Sequence, residues 1–324
     1  MKTKVFMTMA ALALMAAGCN NEDEMDNWNG EIRLTSGIEV QTRATHDLDE
    51  SLKNGETVHV WVDDAKTPTV TVTISKLYEN SQLTVGEYGT LTGGTPMYFP
   101  QTGNKVNIYA LHTNAVLTGS TFPESELTHT VATDQKSSTT TTGGGYQGSD
   151  LVFAKKTEVA RTSDAVELKF NHLLSKIEVV LVQGAGSPSI NKVEILNTQL
   201  EAKFTPFKTQ DFRVTASGDI TDKNPIEIDT DLTSVTDAEG ADDSKKKLNE
   251  AIIVPQTLTT GTEFIRITTR EGGVLTYSLS EEKEFAPATK YRYTITANLT
   301  ELKVTSSISP WGDGGSGTGT ATMD

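Results

Sequence analysis

The chain of 324 residues carries 28 Lys+Arg against 43 Asp+Glu, a formal charge of −15, with 50 Thr, 26 Gly and a single Cys. One cysteine excludes an internal disulfide scaffold and a Cys-built zinc site, and the acidic balance argues against nucleic acid, which is bound through clustered Lys/Arg that displace counterions. The Thr excess favours pleated, half-buried strands over helices, because β-branched side chains suit a sheet, and the length suits two domains of roughly 140 residues.

The chain opens with Lys2 and Lys4, followed by Val5 to Ala17, apolar apart from Thr8. That stretch is too short to cross a ~30 Å hydrocarbon core at 1.5 Å per residue and reads as a signal peptide over 1–19. It ends Met15-Ala16-Ala17-Gly18-Cys19, which resembles a bacterial lipobox, with Ala16 where Leu is usual. Cys19 is therefore expected to be lipidated. The other reading is an ordinary secretory signal with an incidental Cys. Residues 20–26, Asn-Asn-Glu-Asp-Glu-Met-Asp, form an acidic tether with nothing to bury. The run resembles surface-export signals of lipoproteins in Gram-negative gut anaerobes, although such runs are also ordinary solvated linkers.

Gly30 to Gln41 alternate. Ile32, Leu34, Ser36, Ile38 and Val40 fall on one face and Arg33, Thr35, Gly37, Glu39 and Gln41 on the other, which calls for a strand with its even positions in a groove. Thr42-Arg43-Ala44 follows in a polar segment suited to an Arg-specific protease, so 20–43 is read as a tether plus a removable strand. Arg33 is a second cut site, one that would leave Ile38 and Val40 in the groove.

The body is strands and turns. Val58, Val60 and Val62 alternate with His59 and Trp61, and Val70, Val72 and Ile74 with Thr71 and Thr73. Val106, Ile108 and Ala110 continue the pattern, as do Ile177, Val179 and Leu181, then Tyr291, Tyr293, Ile295 and Ala297. Each run is expected to turn one set of side chains to a core and the other to solvent. Turn signals separate them at Gly93-Gly94, Gly103-Asn104, Gly143-Gly144-Gly145, Gly184-Ala185-Gly186 and Gly272-Gly273. One helix is expected, over Asp243 to Ala251. The fold class is all-β, read as two tandem antiparallel β-sandwich domains over 44–160 and 161–301, with a C-terminal strand and Gly-rich tail over 302–324.

No catalytic residue, metal or cofactor is expected. His46, His59, His112, His129 and His172 are scattered without metal-ligand spacing, and neither a nucleophile elbow nor a Walker loop occurs. Ser244 to Lys247 matches SxxK only inside a charged run. Gly312 to Gly317 precedes no helix, and Asp237, Glu239, Asp242 and Asp243 lack calcium-loop spacing.

Near the end, Leu302-Lys303-Val304-Thr305-Ser306-Ser307-Ile308 aligns place by place with Ile32-Arg33-Leu34-Thr35-Ser36-Gly37-Ile38. Apolar meets apolar, basic meets basic, and Thr-Ser is identical, so both segments suit one groove. A sheet that loses a strand exposes unpaired N–H and C=O groups and an apolar trough, which a strand from a neighbour repairs. Such a contact is heterologous and grows a filament. The bland alternative is that amphipathic strands in a Thr-rich chain look alike.

Several segments together resemble the fimbrillin proteins, lipoprotein-derived pilins of type V pili in gut and oral Gram-negative anaerobes. They are Met97-Tyr98-Phe99-Pro100 with Val106 to Ala110, Asp150 to Ala154, Phe170 to Val179, Ile253 to Leu258, and Tyr291 to Ile295 through Ile308-Ser309-Pro310-Trp311. The resemblance implies tandem transthyretin-like domains and outer-membrane export as a precursor acylated at Cys19. It also implies Arg-specific cleavage at Arg43–Ala44, which removes lipid and first strand together, and a C-terminal donor over 302–311 (Leu302, Val304, Ile308, Trp311) that completes the next subunit. Partners are then copies of the chain and related pilins, an Arg-specific protease, the outer membrane through the lipid, and a host glycan or protein receptor. A shaft role in adhesion is expected, with a tip adhesin as the alternative. A monomeric surface lipoprotein that stacks sugar on Trp61, Trp311 or Tyr146 is a further one, although Trp61, inside an alternating strand, reads first as a core residue. Loss of 1–43 removes four basic and six acidic side chains and leaves a mature charge of −13, which keeps free subunits apart until a specific contact forms.

Brief treatment of the precursor, freed of its signal peptide, with an Arg-specific protease is expected to yield a new N-terminus at Ala44 by mass spectrometry. Resistance at Arg43 would favour the surface lipoprotein.

Overall fold

The computed structural model describes residues 28–38, 52–65, 76–119, 122–123, 126–136, 145–186, 188–206, 214–217, 225–240, 242–298, 302–311 and 317–319. Cys19, Val40, Arg43, Ala44 and the alternating run from Val70 to Ile74 lie outside the described residues.

The first eight strands are β1 (Leu34–Ile38), β2 (Thr57–Asp64), β3 (Lys76–Val85), β4 (Thr90–Thr92), β5 (Val106–His112), β6 (Leu127–Thr130), β7 (Val152–Val159) and β8 (Val166–His172). All but β6 close into a barrel in the order β1-β4-β3-β2-β5-β7-β8. Closure depends on β1. It pairs antiparallel with β4 at Leu34↔Leu91 and Thr35↔Thr90, and parallel with β8 from Leu34↔Val166 to Ile38↔Phe170. A sandwich would leave free edges, whereas here one short strand bridges both.

The later strands are β9 (Ser175–Gln183), β10 (Ile190–Ile195), β11 (Glu201–Phe204), β12 (Val214–Ser217), β13 (Ile226–Ile228), β14 (Leu232–Thr233), β15 (Asn249–Ile253), β16 (Gln256–Leu258), β17 (Glu263–Thr269), β18 (Val274–Ser278), β19 (Lys283–Phe285), β20 (Thr289–Ala297), β21 (Leu302–Pro310) and β22 (Gly317–Gly319). Six of them form a sheet β14-β9-β20-β21-β22, in which β15 also pairs with β9, four form a second sheet β13-β10-β17-β18, β16 pairs with β19, and β11 and β12 join β6. β9 and β20 run parallel, and Arg292 sits opposite Glu178 with Nε 2.8 Å from its carboxylate.

The all-β reading matches this architecture, and the alternating runs from Val58, Val106, Ile177 and Tyr291 fall on β2, β5, β9 and β20. The expected division at residue 160 does not coincide with a break between sheets. β8 completes the first barrel, and the changeover comes between His172 and Ser175. β6, from the N-terminal half, pairs with β11 in a separate sheet.

Alternation does not separate core from solvent on β2: Val58, Val60 and Val62 line one core while Trp61 is buried in the other. β5 and β7 behave alike: Ile108, Ala110, Val152 and Ala154 face the barrel core, and Tyr109, Leu111 and Phe153 face the second core. Three strands are thus a wall between two cores, so alternation sorts residues between cores instead of between core and water. The helix expected over 243–251 is replaced by a 3-10 turn, Asp243–Lys245, and then by β15. Neighbouring strands capture that segment: Asn249 Nδ2 donates to the Val179 and Asp231 carbonyls, and the Ile252 N–H donates to Gln135. These contacts override weak local helix preference. A short helix at Val235–Glu239 stands nearby, capped by Ser234 accepting from the Asp237 N–H.

His129 on β6 is fixed by its side chain within the N-terminal half, while its backbone pairs with Ala202 of β11. Its Nε2 donates to the Ser149 carbonyl at 2.9 Å, and Nδ1 lies 3.0 Å from Thr113 Oγ1. Burial pushes its pKa down to about 4 from the usual 6.5. A histidine with a depressed folded-state pKa contributes stability that is complete above pH 6.5 and declines as the pH falls towards 4. Urea unfolding is expected to show a loss of order 2 kcal/mol from this group between pH 7 and 5, and His129→Gln is expected to flatten that dependence.

Candidate functional site: the seat of the first strand

β1 enters the barrel along a defined path. Trp28 packs edge-on against Phe99 at 6.2 Å, and the Arg161 guanidinium lies 4.9 Å over its other side. Gly30 follows at φ +90°, where an added Cβ would lie 2.7 Å from Arg161, so this approach requires glycine. The Gly30 carbonyl accepts from the Phe99 N–H, the Ile32 N–H donates to the Met97 carbonyl at 2.7 Å, and the Arg33 carbonyl accepts from the Val166 N–H. Ile32 and Leu34 then enter the barrel core with Leu83, Leu91, Met97, Phe99, Val166 and Leu168, each burial contributing about 1.5–3 kcal/mol.

The far end of the strand is sealed by a turn. Ser36 is buried and its hydroxyl donates to the Gly89 carbonyl at 3.0 Å. Gly89 has φ +73°, and a Cβ there would sit 2.4 Å from the Ser36 carbonyl oxygen. Beside the strand, where it crosses from β4 to the Met97 segment, a cleft of about 400 Å³ opens along Glu31 to Thr35, lined by Leu83, Leu91 and Met97. β1 is therefore well held by β8 and thinly held by β4, with two register pairs on that side.

The sequence-predicted residues divide accordingly. Ile32 and Leu34 occupy the barrel groove in the expected alternation, and Ile38 pairs with Phe170. Leu302 and Val304 are also buried, but in a different place: β21 pairs with β20 of its own subunit over nine positions, from Ala297↔Leu302 to Thr289↔Pro310. Ile308 is 37% exposed and Trp311 is buried. The structure thus seats the two look-alike segments in separate sheets of one subunit and does not bring them together. Trp61 and Trp311, suspected of stacking on sugar, are both buried. Among the described residues the exposed tyrosines are Tyr88, at 96%, and Tyr98, at 38%.

One grouping escaped the sequence reading. His172 Nδ1 lies 3.0 Å from Asp150 Oδ1, and the Trp311 indole stacks on the imidazole at 3.7 Å and 7°. The residues are far apart in sequence, so no local spacing signals them. Both the His172 and Asp150 side chains are buried, at about 1% exposure. Among the described residues no group of three His, Cys, Asp or Glu is placed to hold a metal, and no helix is long and apolar enough to cross a membrane.

The architecture is that of a two-core β protein with one barrel strand supplied from the chain's N-terminal end, and its overall fold is similar to that of solved structures. A protein assigned to cell adhesion from Bacteroides uniformis superposes with a TM-score of 0.58 at 19% identity, covering 88% of this chain and 99% of its own. One from Bacteroides ovatus gives 0.58 at 18%, covering 87% and 96%. The chain belongs to the fimbrillin-like family, whose model matches residues 42–311. No curated protein matches it.

Gly89→Ala is expected to cost about 1–3 kcal/mol through a strained φ and a clash with Ser36. Hydrogen exchange should localise the damage to 34–38 and leave β9 protected. Uniform loosening of both units would show that the turn does not serve β1 in particular.

Proposed function

We propose that this fimbrillin-like chain is a pilus-type adhesion subunit of the cell surface, made as a lipoprotein precursor acylated at Cys19, whose barrel accepts a strand from a neighbour once cleavage after Arg43 frees β1. The observation that carries the reading is the seat of β1, which closes the barrel, comes from the segment that precedes the Arg43 site, and has two register pairs to β4. Departure of β1 would uncover the apolar lining from Leu83 to Leu168 and two rows of backbone groups, a surface that a strand of matching alternation covers best. In the precursor, Ile32 and Leu34 plug the trough. The cell-adhesion assignments of the B. uniformis and B. ovatus structures agree with an adhesive role.

Two forms of the role differ in what β21 does. In the shaft form, 302–311 leaves its own sheet and fills the next barrel. The burial of Leu302 and Val304 around exposed Lys303, which repeats that of Ile32 and Leu34 around Arg33, supports this form. In the tip form the subunit accepts a strand and donates none. The nine-position ladder to β20 and the burial of Trp311 favour this accepting role, because donation must first break both.

Cleaved protein run without boiling separates the forms. A ladder of multimers is expected for a shaft subunit, and Ile308→Asp should abolish it while leaving the precursor folded, since Ile308 is partly exposed within its own subunit. For a tip subunit the cleaved protein stays monomeric yet binds a synthetic peptide of residues 302–311. Cleavage with neither multimers nor peptide binding would overturn strand acceptance and return the chain to a surface-binding lipoprotein.

A further inference from the structure

β21 is held unevenly. Leu302 and Val304 anchor its first half in the second core. From Thr305 to Ser309 every side chain is exposed or half-buried, and Trp311 is the next buried one. The outer side of β21 meets β22 at three positions, Ser306↔Gly319 to Ile308↔Gly317. The C-terminal half of the strand is therefore kept by its ladder to β20, that short outer strand and the placement of Trp311.

Trp311 does not rest on its own sheet alone. Its indole lies flat on His172, the last residue of β8, and the Trp311 backbone N–H donates to the Ala288 carbonyl at 2.6 Å. His172 is braced by Asp150 immediately before β7, and its backbone is paired with Val152. The stack thus joins the end of the C-terminal strand to the barrel strand on which β1 is seated. Among the described residues, Asp150 Oδ2, His172 Nε2 and Trp311 Nε1 are buried there and meet no hydrogen-bond partner. Packing and stacking hold this junction closed while its polar atoms oppose closure, since each would regain a partner in water. Such an arrangement can open reversibly.

We infer that the Trp311–His172 stack is a latch that keeps the C-terminal strand in its own subunit, and that opening it frees 305–310 for capture by a second copy of this chain. The capture step rests on the strand-acceptance reading above, whereas the latch does not. Peeling would start at the C-terminal end, where Trp311 is the buried side chain in its path, and would stall at Val304 unless a neighbour offered an equivalent groove.

Hydrogen exchange on the full chain tests the latch. Trp311→Ala is expected to speed exchange at 305–310 by roughly tenfold or more while β9 keeps its protection. Trp311→Phe, which keeps a stacking ring, should do so far less. His172→Ala attacks the same contact from the barrel side and should open the same amides, and the double variant should add nothing further, the signature of one shared interaction. Unchanged exchange at 305–310, or additive effects of the two substitutions, would overturn the latch. Should Trp311→Ala also lose β9 protection, Trp311→Phe and His172→Ala decide by the same criterion. Multimer formation after cleavage is scored separately: amides that open without multimers leave the latch standing and retire strand donation, whereas closed amides reject the latch whatever the multimers show.

Discussion

The wall formed by β2, β5 and β7 constrains everything else in this molecule. Its side chains alternate between two cores, Val60, Ile108 and Ala154 on one side and Trp61, Tyr109 and Phe153 on the other. A strand with two buried faces cannot slip by one residue without exchanging its whole contents between cores of different size, so its register is strongly specified. The second sheet system can pack only where Trp61, Tyr109 and Phe153 project, and the barrel can close only around the valines. The two units share hardware and do not behave as beads on a string. β6 pairing with β11 adds a second link between the two halves.

Against that rigid wall, β1 stands out as the economical part of the barrel. It lies on the opposite side of the closed sheet, between β4 and β8, and adds Ile32, Leu34 and Ser36 to an interior that the other strands have largely built. A cleft runs along Arg33 beside the strand.

The junction of His172, Asp150 and Trp311 sits where these two regimes meet. β8 carries β1 along one edge and ends in the imidazole under Trp311, so the first strand and the C-terminal strand are anchored on the same element.

Local pattern was enough to read strand identity, and the reason is that alternation is a property of neighbours in the chain. The runs at Val58, Val106, Ile177 and Tyr291, the plug from Ile32 to Ile38 and its counterpart from Leu302 to Ile308 were all visible as spacing. Strand partners were not, because pairing joins residues with no local relation. No spacing announces that β1 would lie parallel to β8, that residues 249–253 would be drawn into a sheet in place of a helix, or that Trp311 would cover a histidine 139 positions earlier. The same holds for the second buried face of β2. A tryptophan between valines looks identical whether it meets water or a second core, and only the packing of distant strands distinguishes the two.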